Sequence, residues 1–345
     1  MPTMRDFSTS RPRSTQARAG LVGILQDRRL AVGAVLIGLI AAVCAINPSF
    51  ASLQNLRDLL VQAAPVVIVG CGMTLVVITG EIDISVGSLL GLLAALMGVL
   101  ASPSHLGLGA PAVIALTLLA GTAVGLVNGL LVTIGRVPSI VATLGMLTIL
   151  RGTTELMLDG NWITDLPPEI RSLGTGTVAG PPFCVWAAAA VAVSLALVMR
   201  FTPLGVRTRA VGDNPTAAAL ARISIVRIKL LAFTLVGLLT GVAALVCVPQ
   251  QSVIEPGIGV GFELVVVTAV VVGGTSIRGG VGGIGGTVLA ALLLGSIRTA
   301  LVFLNIGEMA IYWERAIQGA FILSAVLADH FAARGRSGQR AGAPA

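Results

Sequence analysis

Few residues in this chain could do chemistry, and most of them stand inside or between long apolar stretches. Thr79-Gly80-Glu81-Ile82-Asp83-Ile84-Ser85 sets two carboxylates and two hydroxyls within an otherwise hydrophobic hairpin. A carboxylate at the centre of a bilayer costs roughly 2.5–3.5 kcal/mol, so such groups face a cavity, a partner or the interface. Two compatible readings follow. Asp83 and Ser85 can cap the N-terminus of the next helix, or Glu81, Asp83, Ser85 and, further on, Asn128 can line or gate a route through the bundle. Arg151 and Arg298 also lie well inside apolar segments. Glu155 is one helical turn from Arg151, which predicts an internal pair. Arg298 has no acid at helical spacing and is expected to reach another helix or the pathway.

Motifs for covalent chemistry are absent. Gly280-Val281-Gly282-Gly283-Ile284-Gly285 fits GxGxxG formally, but no strand precedes it and an apolar span follows, so dinucleotide binding fails on context. The single lysine, Lys229, lacks the glycines and the following Ser/Thr of a phosphate-binding loop, and neither HExxH nor GxSxG occurs. Cys44, Cys71, Cys184 and Cys247 have no CxxC spacing and are expected to be free thiols. His105 and His330 are isolated, so no metal site is expected. The chain is expected to be no enzyme and to hold no cofactor, any ATP being bound by a partner.

The elements that carry these residues are membrane helices. The 345 residues are 55% hydrophobic and 11% charged, with mean hydropathy +0.97, against roughly 25% charged residues in a soluble domain. At about 20 apolar residues per crossing, spans are expected near 30–47, 60–79, 84–101, 110–134, 139–158, 183–200, 229–248, 262–276, 283–304 and 311–328. The fold class is therefore all-α polytopic, with about ten transmembrane helices. A cytoplasmic tail is expected over 1–29, a transmembrane domain over 30–329 with a polar loop at 201–228, and a second cytoplasmic tail over 330–345.

Charge orients the bundle. The tails, the 201–228 loop and the turns at Arg136 and Arg278 are basic. The opposite segments, 48–58, 102–109, 159–182, 249–261 and 305–310, carry Arg57 and Arg171 as their only basic residues, with acids Asp58, Asp159, Asp165, Glu169, Glu255 and Glu308. Positive loops stay inside, so both termini are expected in the cytoplasm of a bacterial inner-membrane protein. The net charge of +7 follows this topology; no basic face interleaved with aromatics suggests nucleic acid.

Ser85–Leu100 and Gly282–Ile297 resemble one another, and each follows a glycine-rich polar turn, as internal transporter repeats do. The 201–228 loop holds Gly212-Asp213-Asn214-Pro215, a turn signal. Asp213 or Asn214 can then cap a short helix over 216–223.

From roughly Asn47 to Asp329 the chain resembles the permease subunits of bacterial sugar ABC importers of the ribose, arabinose, rhamnose and autoinducer-2 type. The ordered blocks that carry the resemblance are Gly72-Met73-Thr74-Leu75 through Gly80-Glu81-Ile82-Asp83-Ile84-Ser85-Val86-Gly87-Ser88, Val127-Asn128-Gly129, Ile140 to Gly145, Arg151-Gly152, Thr202 to Gly205, Gly212 to Pro215 with Ala217-Ala218, and Val272 to Ser276. Glu81 stands where the ribose-type pattern commonly has Gly, and Asn161-Trp162-Ile163 with Leu166-Pro167 is closer to the rhamnose and autoinducer-2 permeases.

The resemblance implies a monosaccharide or small-polyol permease that works with a separate ABC ATPase, a second permease, identical or not, and an extracytoplasmic binding protein. It makes 30–329 a permease domain and the 201–228 loop its coupling region. It places ATPase coupling at Gly212, Asp213, Asn214, Pro215, Ala217, Ala218 and Arg222, whose neighbouring arginines can also meet anionic membrane lipid. Docking of the binding protein falls at Asn161, Trp162, Asp165 and Glu169. A branched-chain amino-acid permease and an ATP-independent secondary transporter are the alternatives.

Overall fold

A computed structural model gives the fold over residues 28–305, 312–321, 323–324 and 327. The tails expected at 1–29 and 330–345 lie outside the described residues, apart from Arg28 and Arg29 at the start of the first helix. The helices run in order α1 (Arg28–Ile46), α2 (Leu53–Ile78), α3 (Val86–Ala101), α4 (Ala110–Thr133), α5 (Ser139–Leu158), α6 (Pro168–Thr175), α7 (Phe183–Phe201), α8 (Pro203–Asp213), α9 (Pro215–Leu220), α10 (Ile225–Cys247), α11 (Phe262–Val272) and α12 (Ile284–Phe303). Residues 312–321 are also helical. Among the described residues, extended pairing is limited to the isolated bridges Ile163–Ile254 and Thr177–Pro182.

Six helices, α2, α4, α5, α7, α10 and α12, are long and apolar enough to cross a bilayer; Leu30–Ile46, α3 and α11 are shorter apolar helices. Two expected spans lengthen. Ser52 caps α2 by accepting the Asn55 amide, so the helix begins seven residues before the expected start at 60. Ser224 likewise starts α10 by accepting the Arg227 amide. The expected span 262–276 shortens instead to Phe262–Val272, about 16 Å of helix against the ~30 Å of a bilayer core. The expected span 311–328 falls partly outside the described residues.

The centre of the bundle is α2, buried almost continuously from Ala63 to Ile78. α10 lies along α4 at a crossing without side chains: a Cβ on Gly237 would overlap the Gly121 carbonyl, and one on Gly121 would stand 2.6 Å from the Gly237 carbonyl. Backbone contact of this kind is how membrane helices gain packing energy when lipid is as apolar as leucine. α12 closes the other flank of α2, where the Thr74 and Thr287 hydroxyls share a 2.7 Å hydrogen bond. All four cysteines are free, Cys71 and Cys184 buried, Cys44 and Cys247 half-buried.

Candidate functional site

α2 ends at Ile78, and the chain does not turn straight into α3. Gly80 takes a left-handed backbone (φ 82°), and 81–84 follow without helical structure. Inside an apolar bundle such a segment must find partners for its amides. The Ile82 amide donates to Ser139 Oγ (3.3 Å) and the Ile84 amide to Thr143 Oγ1 (3.2 Å). The match is geometric: four residues of α5 rise about 6 Å, and two extended residues advance about 6.6 Å.

Asp83 turns the other way and is 1% exposed. Its Oδ1 accepts from the Ser85 amide (2.8 Å) and the Ser85 hydroxyl (2.6 Å), and its Oδ2 from Asn128 Nδ2 (3.2 Å). Asn128 Nδ2 also donates to Ser85 Oγ (2.9 Å), while its Oδ1 has no partner among the described residues. Asp83 thus bonds the amide just ahead of α3. Ser85, expected to share the cap, instead gives its hydroxyl to Asp83 and makes no side-chain cap bond. Asp83, Ser85 and Asn128 form one buried cluster with no surface open to a solute in this conformation. Glu81 lies apart from it and pairs with Lys229 in the second turn of α10.

The residues expected to couple to an ATPase lie beside this break. Gly212 and Asp213 prove helical, the last residues of α8, so the break expected over Gly212–Pro215 narrows to Asn214. The Asn214 side chain accepts the Ala217 amide (3.0 Å) and caps α9, which is shorter than the expected 216–223. Gly212 serves close approach: a Cβ there would overlap the Ile78 carbonyl and the Gly280 amide, which are bonded to each other at 2.8 Å. Three segments therefore meet, the end of α2, the end of α8, and the glycine-rich turn between α11 and α12. Ala218 packs in a buried cluster with Val211 and Ile228, so it seats α9 on its own bundle. The outward face of α9 carries Pro215, Ala217 and Leu220, the last 83% exposed, with Arg222 beyond in a left-handed backbone (φ 58°).

At the opposite end, Asp165 accepts both the Ser104 hydroxyl (2.5 Å) and the Ser102 hydroxyl (2.8 Å), and with the Ser104 amide these bonds lower its pKa to about 2. It pins the turn after α3. Asn161 bonds the Asp159 carbonyl, whereas Trp162 and Glu169 are exposed, Glu169 in the first turn of α6.

Both intramembrane arginines have partners that helical spacing could not show. Arg151 ignores Glu155 and donates to the Pro256 and Ile258 carbonyls (2.7 and 3.1 Å). Arg298 stands 3.6 Å from Glu314 on the last helical stretch. The target of Arg151 is a stretch expected wholly outside the membrane. It runs beside α3: a Cβ on Gly98 would meet Ile254, one on Gly91 the Ile258 carbonyl, and one on Gly87 the Gly259 carbonyl and Glu263. The alternating glycines Gly257, Gly259 and Gly261, just before a helix too short to cross, were the available signal.

Known proteins resemble the chain in sequence over most of its length. Residues 55–326 match the family model described as the permease component of the branched-chain amino acid transport system. The chain is 38% identical over 300 residues to the ribose import permease protein RbsC of Haemophilus influenzae, covering 86% of this chain and 91% of that one. It is 32% identical over 317 residues to the L-arabinose ABC transporter permease protein AraH of Azospirillum brasilense (92% and 91% covered). Over 304 residues it is 33% identical to the autoinducer 2 import system permease protein LsrC of Photorhabdus luminescens (88% and 90% covered). No solved structure matches. With six bilayer-length apolar helices and relatives matched over nearly their whole length, the chain is a multi-pass inner-membrane protein and belongs to the family of sugar ABC-importer permeases.

Proposed function

We propose that this chain carries a monosaccharide or related small polyol, of ribose, rhamnose or autoinducer-2 type, across the cytoplasmic membrane, driven by a separate ATPase seated on α8 and α9. The basic end of the bundle, with both termini, lies in the cytoplasm, and a binding protein delivers solute at the end that holds Trp162 and Glu169. One observation carries the reading. The outward-facing α9 is joined through Gly212 to the Ile78–Gly280 hydrogen bond, and through α10 to the Lys229–Glu81 pair, so a push on α9 reaches the 79–85 break directly. Asp83, Ser85 and Asn128 lock the far side of that break and act as a gate hinge.

A branched-chain amino acid is the second reading, favoured by the description of the matching family model. Purification with an ATPase and a binding protein, followed by ligand-stimulated ATP hydrolysis, separates the two. Stimulation by a sugar in a panel of sugars and aliphatic amino acids is expected. Stimulation by an amino acid alone overturns the substrate class, and transport without any ATPase overturns the mechanism.

A further inference from the structure

The stretch 254–261 is irregular backbone at the depth of the apolar helix α3. From Gly98 to Gly87, α3 spans about 16 Å, and Ile254, Ile258 and Gly259 lie along that length in turn. Ile254 and Ile258 face α3 and are buried, whereas Glu255, Gly257 and Val260 are exposed, Val260 at 67%. α11 supplies only the remaining part of the crossing.

Irregular backbone survives at that depth only where protein buries it or water reaches it, because hydrocarbon offers no hydrogen bonds. Protein covers one side: Arg151 satisfies the Pro256 and Ile258 carbonyls. The other side is open. It presents Gly257 and Gly261, whose amides have no hydrogen-bond partner among the described residues, whereas Glu263 is half-buried with its carboxylate against Gly87 of α3. Val260 and Leu264 alone would suit lipid, but unpaired peptide amides would not.

Resting on the permease reading above, we infer that 255–264 forms a wall of the aqueous route, offering the Gly257 and Gly261 amides to a polyhydroxylated solute. Arg151 is the positioning residue that holds this wall against α3. Gly259 lets the two segments touch: its backbone is left-handed (φ 81°), and a Cβ there would overlap the Gly87 carbonyl.

Thiol accessibility tests the placement. In a transport-competent background with the four cysteines replaced by alanine, Val260→Cys and Leu264→Cys are labelled within the assembled importer, without nucleotide and trapped with vanadate. Val193→Cys, exposed on α7, is the lipid-facing reference, and Trp162→Cys the rim reference. The reactive species is the thiolate, which needs water, so a small cationic methanethiosulfonate should modify Val260→Cys at least about tenfold faster than Val193→Cys in one of the two states. A maleimide on a long polyethylene glycol should label Trp162→Cys and leave Val260→Cys untouched. Labelling of positions 260 and 264 by both reagents would make the stretch a surface loop, and labelling by neither in either state would place it against lipid or protein; both overturn the inference. Failure of every sugar to stimulate ATP hydrolysis would sink the substrate reading while leaving the labelling pattern intact.

Discussion

The Glu81–Lys229 pair joins residues 148 apart in sequence and fixes the 79–85 break to the helix that follows the coupling segment. Lys229→Met keeps the stem of the side chain and deletes its charge; Glu81→Gln deletes the other charge and keeps a hydrogen-bond acceptor. The two side chains are 19% and 15% exposed, between the limits for which energies are known. Breaking a buried pair costs about 3–5 kcal/mol, and an exposed pair contributes about 0.2–1 kcal/mol. Lys229→Met should therefore destabilise by about 2 kcal/mol, a factor of ~30 in the unfolding equilibrium, because Glu81 is left uncompensated. Glu81→Gln should cost about half as much, because its carbonyl still accepts from Nζ. The double variant should recover most of the Lys229→Met loss, giving a coupling energy of about 1–2 kcal/mol in the cycle. Unfolding of the detergent-purified chain reads the cycle, and hydrolysis by the assembled importer reads its consequence. Solute-stimulated turnover should fall while basal turnover persists, and Glu81→Lys with Lys229→Glu should restore it in part. A coupling energy indistinguishable from zero, or full stimulation in Lys229→Met, would refute the pair as a link between coupling helix and break.

Other perturbations bear on other joints. Gly212→Ala should raise helix propensity by about 1 kcal/mol yet destabilise overall by about 1–3 kcal/mol, because the methyl group overlaps the Ile78 carbonyl; a raised melting temperature would show that α8 does not sit on that bond. Leu220→Glu should leave stability within about 0.5 kcal/mol of the parent, given its exposure, while weakening ATPase retention on co-purification; unchanged retention would remove α9 from the interface. Gly259→Ala should cost more than Gly261→Ala: both glycines have φ near 80°, but only Gly259 meets backbone where a Cβ would go. Equal melting temperatures for the two variants would refute the close approach to α3. The lowered pKa of Asp165 means that its contribution is fully present above the ordinary value of 3.8 and is lost as pH falls towards about 2. Asp165→Asn should therefore lower the melting temperature at pH 7 and lose that effect in strong acid.

The sequence discloses what is local in this fold and conceals what is long-range. Apolar runs locate the helices because a bilayer-length helix satisfies its own backbone, and Asn214 announces α9 because a cap acts within three residues. The partners of Arg151, Arg298 and Lys229 escape such a reading, since helical spacing shows only neighbours on the same helix. Ala218 escapes it for a related reason: an alanine on a six-residue helix has no pattern to say which way it faces. The second break, the irregular stretch ahead of α11, escapes it as well, because hydropathy treats 257–261 as a loop and the short α11 as a weak span. The physical reason is common to both breaks. A helix carries its hydrogen bonds with it, whereas 81–84 and 254–261 borrow part of theirs from Ser139, Thr143, Ile163 and Arg151 on other parts of the chain. Segments that depend on borrowed partners can change partners when those elements move. That dependence places the two breaks, rather than the continuous helices, where an applied push would open or close a route.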